Sequence, residues 1–110
     1  MTVLELYNAA LDERAEQERS LARAASGDER AHSLHLMQAS MLGDMLKVLG
    51  RVQHEGRRPD VLQKQIDTLS AEAERLRAQE DFDQADRTLV KMQTIAWAQE
   101  TLKRLEQEHE

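Results

Sequence analysis

The sequence lacks cysteine altogether and has one proline, four glycines and a single residue each of Trp, Tyr and Phe among its 110 positions. The absence of cysteine excludes a disulfide framework, a thiolate metal site and a cysteine nucleophile. Because glycine and proline are the main helix breakers, their scarcity leaves room for long helices. Few residues are β-branched and no segment alternates apolar and polar residues, so strands are not predicted.

The chain also lacks a long apolar run and an excess of positive charge. The window with the least charge, residues 31–52, is still interrupted by polar side chains, so no membrane-spanning helix is predicted. The net charge is −6, which makes direct nucleic-acid binding unfavourable because a nucleic acid attracts basic surfaces. Residues 1–13 carry acidic groups where a signal peptide would carry basic ones, and we therefore expect a cytoplasmic protein.

Strong helix formers dominate the remaining composition, and three breaks separate them. The first break, residues 26–29, contains Gly27, and the second, residues 56–60, contains Gly56 and Pro59. The third break, residues 77–81, contains neither glycine nor proline; we infer it because the apolar positions change helical phase there. These breaks predict a single domain, residues 1–110, with helices at about 2–25, 28–55, 60–78 and 81–107.

Capping residues stand at three of the predicted helix starts. Thr2 followed by Glu5 has the spacing of a capping box, in which a hydroxyl and a carboxylate satisfy the first free amides of a helix. Ser26 with Glu29 has the same spacing before the second helix. Asp81 is the predicted N-cap of the fourth helix.

Residues 28–55 are predicted to form the central helix of the fold. Their apolar side chains cover about 200° of arc, which is wider than the roughly 100° stripe of a surface helix. One stripe contains Leu34, Met37, Met41, Met45, Val48 and Val52, and the next contains Ala39, Leu42, Leu46 and Leu49. Gly43 and Gly50 interrupt this helix, either to allow a close helix crossing or as tolerated defects.

Short connections favour antiparallel neighbours, and the predicted fold class is therefore all-α, an up-down antiparallel four-helix bundle. The third helix carries a narrow apolar seam that runs from Leu62 through Ile66 and Leu69 to Leu76. The alternative is a helical hairpin followed by one long C-terminal helix, in which residues 77–81 do not break the chain.

The histidines are the residues with the greatest potential for chemistry. Glu29 precedes His32, and Glu106 precedes His109, by the three-residue spacing found in di-iron helical bundles. An up-down bundle places these two pairs at opposite ends, so we predict no metal site and no cofactor. His32 and His35 lie one turn apart and are interpreted as boundary residues whose imidazoles hydrogen-bond to neighbouring helices.

The string AHSL at residues 31–34 resembles the motif of histidine phosphotransfer domains, which are also helical bundles. The resemblance implies that His32 would be the phosphoryl acceptor. That family has Lys and Gly three and four positions after the acceptor, where this sequence has His35 and Leu36.

Residues 78–85 resemble the short helical hairpin shared by excision-repair proteins and Clp-protease adaptors, and also one step of a tetratricopeptide repeat. The repair motif continues with Arg-Asp, where this sequence has Leu89 and Val90. The pattern itself predicts an aspartate cap followed by Phe82 and Ala85 facing the core.

Two groups of residues are the candidates for partner binding. Val90 and Trp97 lie off the main apolar face of the fourth helix, where they either pack on the first helix, with Trp97 near Tyr7, or contact a partner. Arg57 and Arg58 belong to the only locally basic region, at the second break, where an acidic peptide or a phosphate could bind.

These features predict a non-catalytic protein–protein interaction module: an adaptor, an inhibitor or a regulatory subunit with a protein partner. The wide apolar arc, with Val90 and Trp97 outside the main face, predicts self-association into a homo-oligomer. No catalytic residue is predicted, because no arrangement of nucleophile, base and anion-binding loop is present. Two alternatives remain, namely phosphotransfer through His32 and an acidic decoy in which carboxylates at residues 72–86 block a nucleic-acid-binding protein.

Overall fold

The computed structural model describes residues 2–52 and 58–108, and within them the side chains of residues 2–45 and 62–108. Its four helices are α1 (Val3–Ala24), α2 (Glu29–Val52), α3 (Arg58–Ala78) and α4 (Phe82–Glu108). The predicted all-α class is confirmed, and the described part of the chain contains no strand. The alternative of one long C-terminal helix is wrong, because the chain leaves helical geometry between Ala78 and Phe82.

The helices associate as two hairpins, α1 with α2 and α3 with α4. Helix α4 also packs against both α1 and α2, so it contacts each of the other three helices. Among the described residues α2 and α3 have few backbone contacts, and α3 packs chiefly on α4. Leu62 of α3 nevertheless belongs to the core that α1, α2 and α4 share. The structure is a helical bundle in which α4, which contacts the three other helices, is the most central, whereas α2 packs chiefly against α1 and α4. The up-down order of the whole bundle stays a prediction.

The core consists mainly of leucine and alanine, as the scarcity of aromatic residues requires. Tyr7, Leu11, Ala15 and Ala22 form one buried stripe along α1, at spacings of four, four and seven residues that keep them on one face. The buried apolar residues of the other helices are Ala39, Leu42 and Met45 on α2, Leu62 and Ala73 on α3, and Ala85, Ile95, Ala98 and Leu102 on α4. Small alanines at these positions let the helix axes approach closely.

The apolar arc predicted for residues 28–55 is covered in its described part. Ala39, Leu42 and Met45 are buried, and Leu34, Met37 and Met41 are half-buried, with Met41 packed against the core. Leu36 lies outside that arc in helical phase and is 44% exposed. The predictions for Leu46, Val48, Leu49 and Val52 concern side chains outside the described residues.

Two of the three predicted helix caps are confirmed, and the third cap is a different residue from the one predicted. The Thr2 hydroxyl accepts the Glu5 amide at 3.1 Å, and the Asp81 carboxylate accepts the Gln84 amide at 3.4 Å. The second helix is capped by Asp28, whose carboxylate accepts the Ala31 amide at 3.2 Å. The predicted cap at Ser26 is therefore wrong, because α2 begins at Glu29 and only the preceding residue reaches its free amides.

The break between α3 and α4 is built from a left-handed residue that is not glycine. Glu80 has φ of 62°, the Asp81 amide donates to the Leu76 carbonyl at 2.9 Å, and the Glu80 amide donates to the Arg77 carbonyl at 3.0 Å. These two bonds define a Schellman motif, which usually has glycine in the left-handed position. A further correction concerns Phe82, which is 58% exposed rather than in the core, whereas Ala85 is buried as predicted.

Replacing Glu80 with glycine is expected to stabilise the protein. A left-handed conformation costs an L-residue about 1–2 kcal/mol, and the greater entropy of glycine in the unfolded chain offsets part of this, which leaves a gain of about 0.5–1 kcal/mol. Urea unfolding followed by circular dichroism measures the change. Gln79→Gly is the matched control; it has no positive φ to relieve and should be destabilised. Equal losses in both variants would show that Glu80 is unstrained.

Gly43→Ala is expected to raise the free energy of unfolding by about 1 kcal/mol, the difference in helix propensity between the two residues. A Cβ atom built at Gly43 meets nothing within 4 Å, so the interpretation of Gly43 as a close helix crossing is wrong. The same urea titration checks this, and a loss of stability in Gly43→Ala would contradict the open space seen at this position.

Candidate functional site

A carboxylate interrupts the buried stripe of α1. Glu18 lies between Ala15 and Ala22 on that stripe and is only 3% exposed, and it is the only charged side chain in the described part of the chain that is buried to this extent. An ionised carboxylate removed from water is strongly destabilising unless other groups compensate its charge. The side chains around Glu18 therefore form the candidate functional site.

Two side chains bind the two oxygens of Glu18. The Nε of Arg14, one turn earlier on α1, donates to Oε1 at 2.9 Å, and Nδ1 of His35 on α2 lies 2.6 Å from Oε2. Both partners are partly exposed, with 33% of the Arg14 side chain and 28% of the His35 side chain accessible. The carboxylate is thus buried and paired, while its partners extend to the surface.

Trp97 extends this arrangement to a third helix. The guanidinium carbon of Arg14 lies 5.0 Å from the centroid of the Trp97 ring, which is within range of a cation–π interaction. Trp97 is half-buried and also packs against the apolar core. We call Arg14, Glu18, His35 and Trp97 the Glu18 cluster; it joins α1, α2 and α4.

The predicted partner-binding residues are not brought together by the described structure. Trp97 packs against α1, which is one of the two arrangements foreseen for it, and its contact is with Arg14. Val90 is half-buried two turns earlier on α4, and its carbonyl accepts the Thr94 hydroxyl at 2.8 Å. Arg57 and the side chain of Arg58 lie outside the described residues, so the basic region of the second break is untested.

His32 bonds to α1 in the same way as His35. Its Nδ1 lies 2.6 Å from the Ala22 carbonyl oxygen. Since a carbonyl only accepts, Nδ1 must carry the proton, and the lone pair of the neutral ring is then on Nε2. The prediction that both histidines hydrogen-bond to a neighbouring helix is confirmed.

A second set of polar contacts joins α2 to α4. Arg87 donates to the Ser33 hydroxyl at 3.1 Å, and Arg30 bonds Asp86 at 3.0 Å and lies 3.7 Å from Asp83. These pairs connect residues more than 50 positions apart, and no local pattern identifies them. They also neutralise part of the acidic segment proposed as a decoy surface.

Two shallow grooves lie on the described surface. One groove of about 430 Å³ lies between α3 and α4 and is lined by Lys64, Gln65, Thr68, Leu69 and Ile95. Another lies along α1 beside Glu16, whose pKa is lowered chiefly by the hydrogen bond and charge of Arg19, with a smaller contribution from Arg23. Among residues 2–52 and 58–108 no group of three potential metal ligands comes together.

Within the same residues, none of the helices combines the length and the apolar character that crossing a membrane requires. Comparison of the chain with protein-family models, with curated proteins and with solved structures found no match. Any statement on function therefore depends on the geometry of the chain itself.

Sequence reasoning missed Glu18, although a signal was present. Glu18 follows Leu11 and Ala15 and precedes Ala22 at helical spacings, so its phase places it on the buried stripe of α1. A charged residue in such a phase predicts a compensating partner. Arg14, four residues earlier on the same helix, is a partner that the spacing alone indicates. His35 could not be chosen without knowing how α1 and α2 align.

Glu18→Ala is expected to lower the free energy of unfolding by about 1.5–3 kcal/mol, which is typical for the loss of hydrogen bonds to a charged group. The loss stays moderate because Arg14 and His35 are partly exposed and can be rehydrated. Urea unfolding monitored by Trp97 fluorescence measures it. Glu16→Ala, an exposed glutamate of the same helix, is the matched control and should leave stability unchanged; equal effects would contradict the role of Glu18.

Proposed function

We propose that this protein is a non-catalytic interaction module, an adaptor, inhibitor or regulatory subunit, that binds proteins through helix surfaces and self-associates. The observation that carries this proposal is the exposure of Leu36, an apolar side chain on the outer side of α2 that is 44% accessible to solvent. A large apolar side chain left open in this way is a candidate contact for a protein partner.

The partner, the location and the remaining site residues belong to the same proposal. The partner is a protein, with a second copy of the chain as one such partner, and we place the interaction in the cytoplasm. A net charge of −6 supports a protein partner over direct nucleic-acid binding. Val90, Trp97, Arg57 and Arg58 stay candidates for contacts outside the α2 surface.

Phosphotransfer through His32 is the second candidate function, and one observation favours it. The bond from Nδ1 of His32 to the Ala22 carbonyl leaves Nε2 as the basic nitrogen. A phosphorylated donor kinase should label the protein, and His32→Gln should lose the label. Labelling that persists in His32→Gln would exclude it. The acidic decoy has less support, because Arg30 pairs with Asp83 and Asp86.

Self-association is tested by sedimentation equilibrium in buffer containing EDTA, from micromolar to millimolar protein. We expect concentration-dependent association that Leu36→Glu weakens, because a charge at this position opposes its burial in a contact between two copies. Leu21→Glu is the matched control, since Leu21 is similarly exposed, at 48%, but lies on α1. A monomer at every concentration, or equal effects of the two substitutions, would refute self-association through α2.

A further inference from the structure

Two imidazoles occupy neighbouring positions on one helix and are held by the same neighbouring helix. His32 and His35 are three residues apart on α2, a spacing that brings their Cβ atoms to about 5–6 Å. Nδ1 of His32 lies 2.6 Å from the Ala22 carbonyl, and Nδ1 of His35 lies 2.6 Å from the Glu18 carboxylate. Both rings therefore use Nδ1 to bond α1 and have Nε2 left for another ligand.

Hydrogen bonds of this type characterise histidines that bind metals. A metal-binding imidazole almost always donates its second ring N–H to a carboxylate or a backbone carbonyl, which fixes the tautomer and the ring orientation. His35 has the carboxylate and His32 has the carbonyl. The carboxylate is itself held by Arg14, so the support behind His35 is rigid.

The two imidazoles are accessible at the surface. Both histidines are partly exposed, and neither of their Nε2 atoms is among the buried side-chain atoms that lack a hydrogen-bond partner. Leu36, which directly follows His35, is 44% exposed. The two imidazoles thus adjoin the surface proposed above for self-association.

One chain supplies too few ligands for a complete site. No third histidine, aspartate or glutamate joins the two imidazoles within the part of the chain that the structure describes. Zn²⁺ in structural sites is almost always bound by four ligands in a tetrahedron. A twofold dimer would double the set, because an isologous interface places the same residues of both copies together.

We propose that His32 and His35 form a transition-metal site that two copies of this chain complete, each giving Nε2 of both imidazoles to one shared Zn²⁺. This inference rests on the proposed self-association and names Zn²⁺ as an ion that stabilises the dimer. The apolar contact around Leu36 and the four imidazoles would then belong to one interface.

The test compares sedimentation equilibrium and bound metal in EDTA and with one Zn²⁺ for every two chains. Zn²⁺ should move dimerisation to lower protein concentration, with one ion per dimer. His32→Gln and His35→Gln should each abolish this shift. His54→Gln and His109→Gln remove the other two histidines and serve as matched controls that retain it.

Glu18→Gln tests the hydrogen-bond partner of His35 without removing a proposed metal ligand. Glutamine keeps a hydrogen-bond acceptor for His35 but removes the charge, and Zn²⁺ affinity should fall about 10-fold or more, as when such a supporting partner is lost elsewhere. Circular dichroism of the variant confirms that the helices are retained. An unchanged affinity in a folded Glu18→Gln protein would contradict the role of Glu18.

The outcomes distinguish the two proposals. A dimer in EDTA that Zn²⁺ does not change overturns the metal site and leaves self-association intact. A monomer in EDTA that dimerises with Zn²⁺ supports the metal site and refutes metal-free association. One ion per chain without dimerisation, or a shift that survives in His32→Gln and His35→Gln, overturns the shared site.

Discussion

The structure depends on compensating one buried negative charge. Glu18 is placed on the apolar stripe of α1, and its carboxylate is stable there only with partners that neutralise it. Arg14 supplies a charge from the same helix, while His35 supplies a hydrogen bond from α2. Because the second partner comes from another helix, this pair restricts how α1 and α2 can align, which an all-leucine interface would not do.

The same constraint also involves α4. The guanidinium of Arg14, which bonds Glu18, also lies 5.0 Å from the centroid of the Trp97 ring on α4. Helix α4 packs against α1 and α2 as well as against α3. Leu36 on α2 stays 44% exposed, and both proposals on function derive from that residue and the two histidines beside it.

Features that depend only on residues nearby in the sequence could be predicted. The N-caps at Thr2 and Asp81, and the phase change near residue 80, depend on residues within one or two turns of each other. The sequence predicts Ser26 as the N-cap of α2, whereas Asp28 is the cap in the structure. Both residue types suit an N-cap, and only the backbone decides where α2 begins. Glu80 could not be identified as the left-handed residue, since glycine normally marks that position and is absent here.

By itself the sequence determined four helices, their approximate ends and the buried stripes of α1 and α3, because helical periodicity depends only on the spacing of residues in one segment. The buried face of α4 includes Thr88, Thr94 and Thr101, so apolar spacing alone did not mark it. The sequence also indicated that His32 and His35 bond a neighbouring helix. Only the tertiary structure decided that α3 lies on α4 instead of α2, that Glu18 pairs with His35, and that Leu36 stays exposed. These are contacts between segments distant in the chain, and they are selected by how whole surfaces fit together, which no single segment encodes.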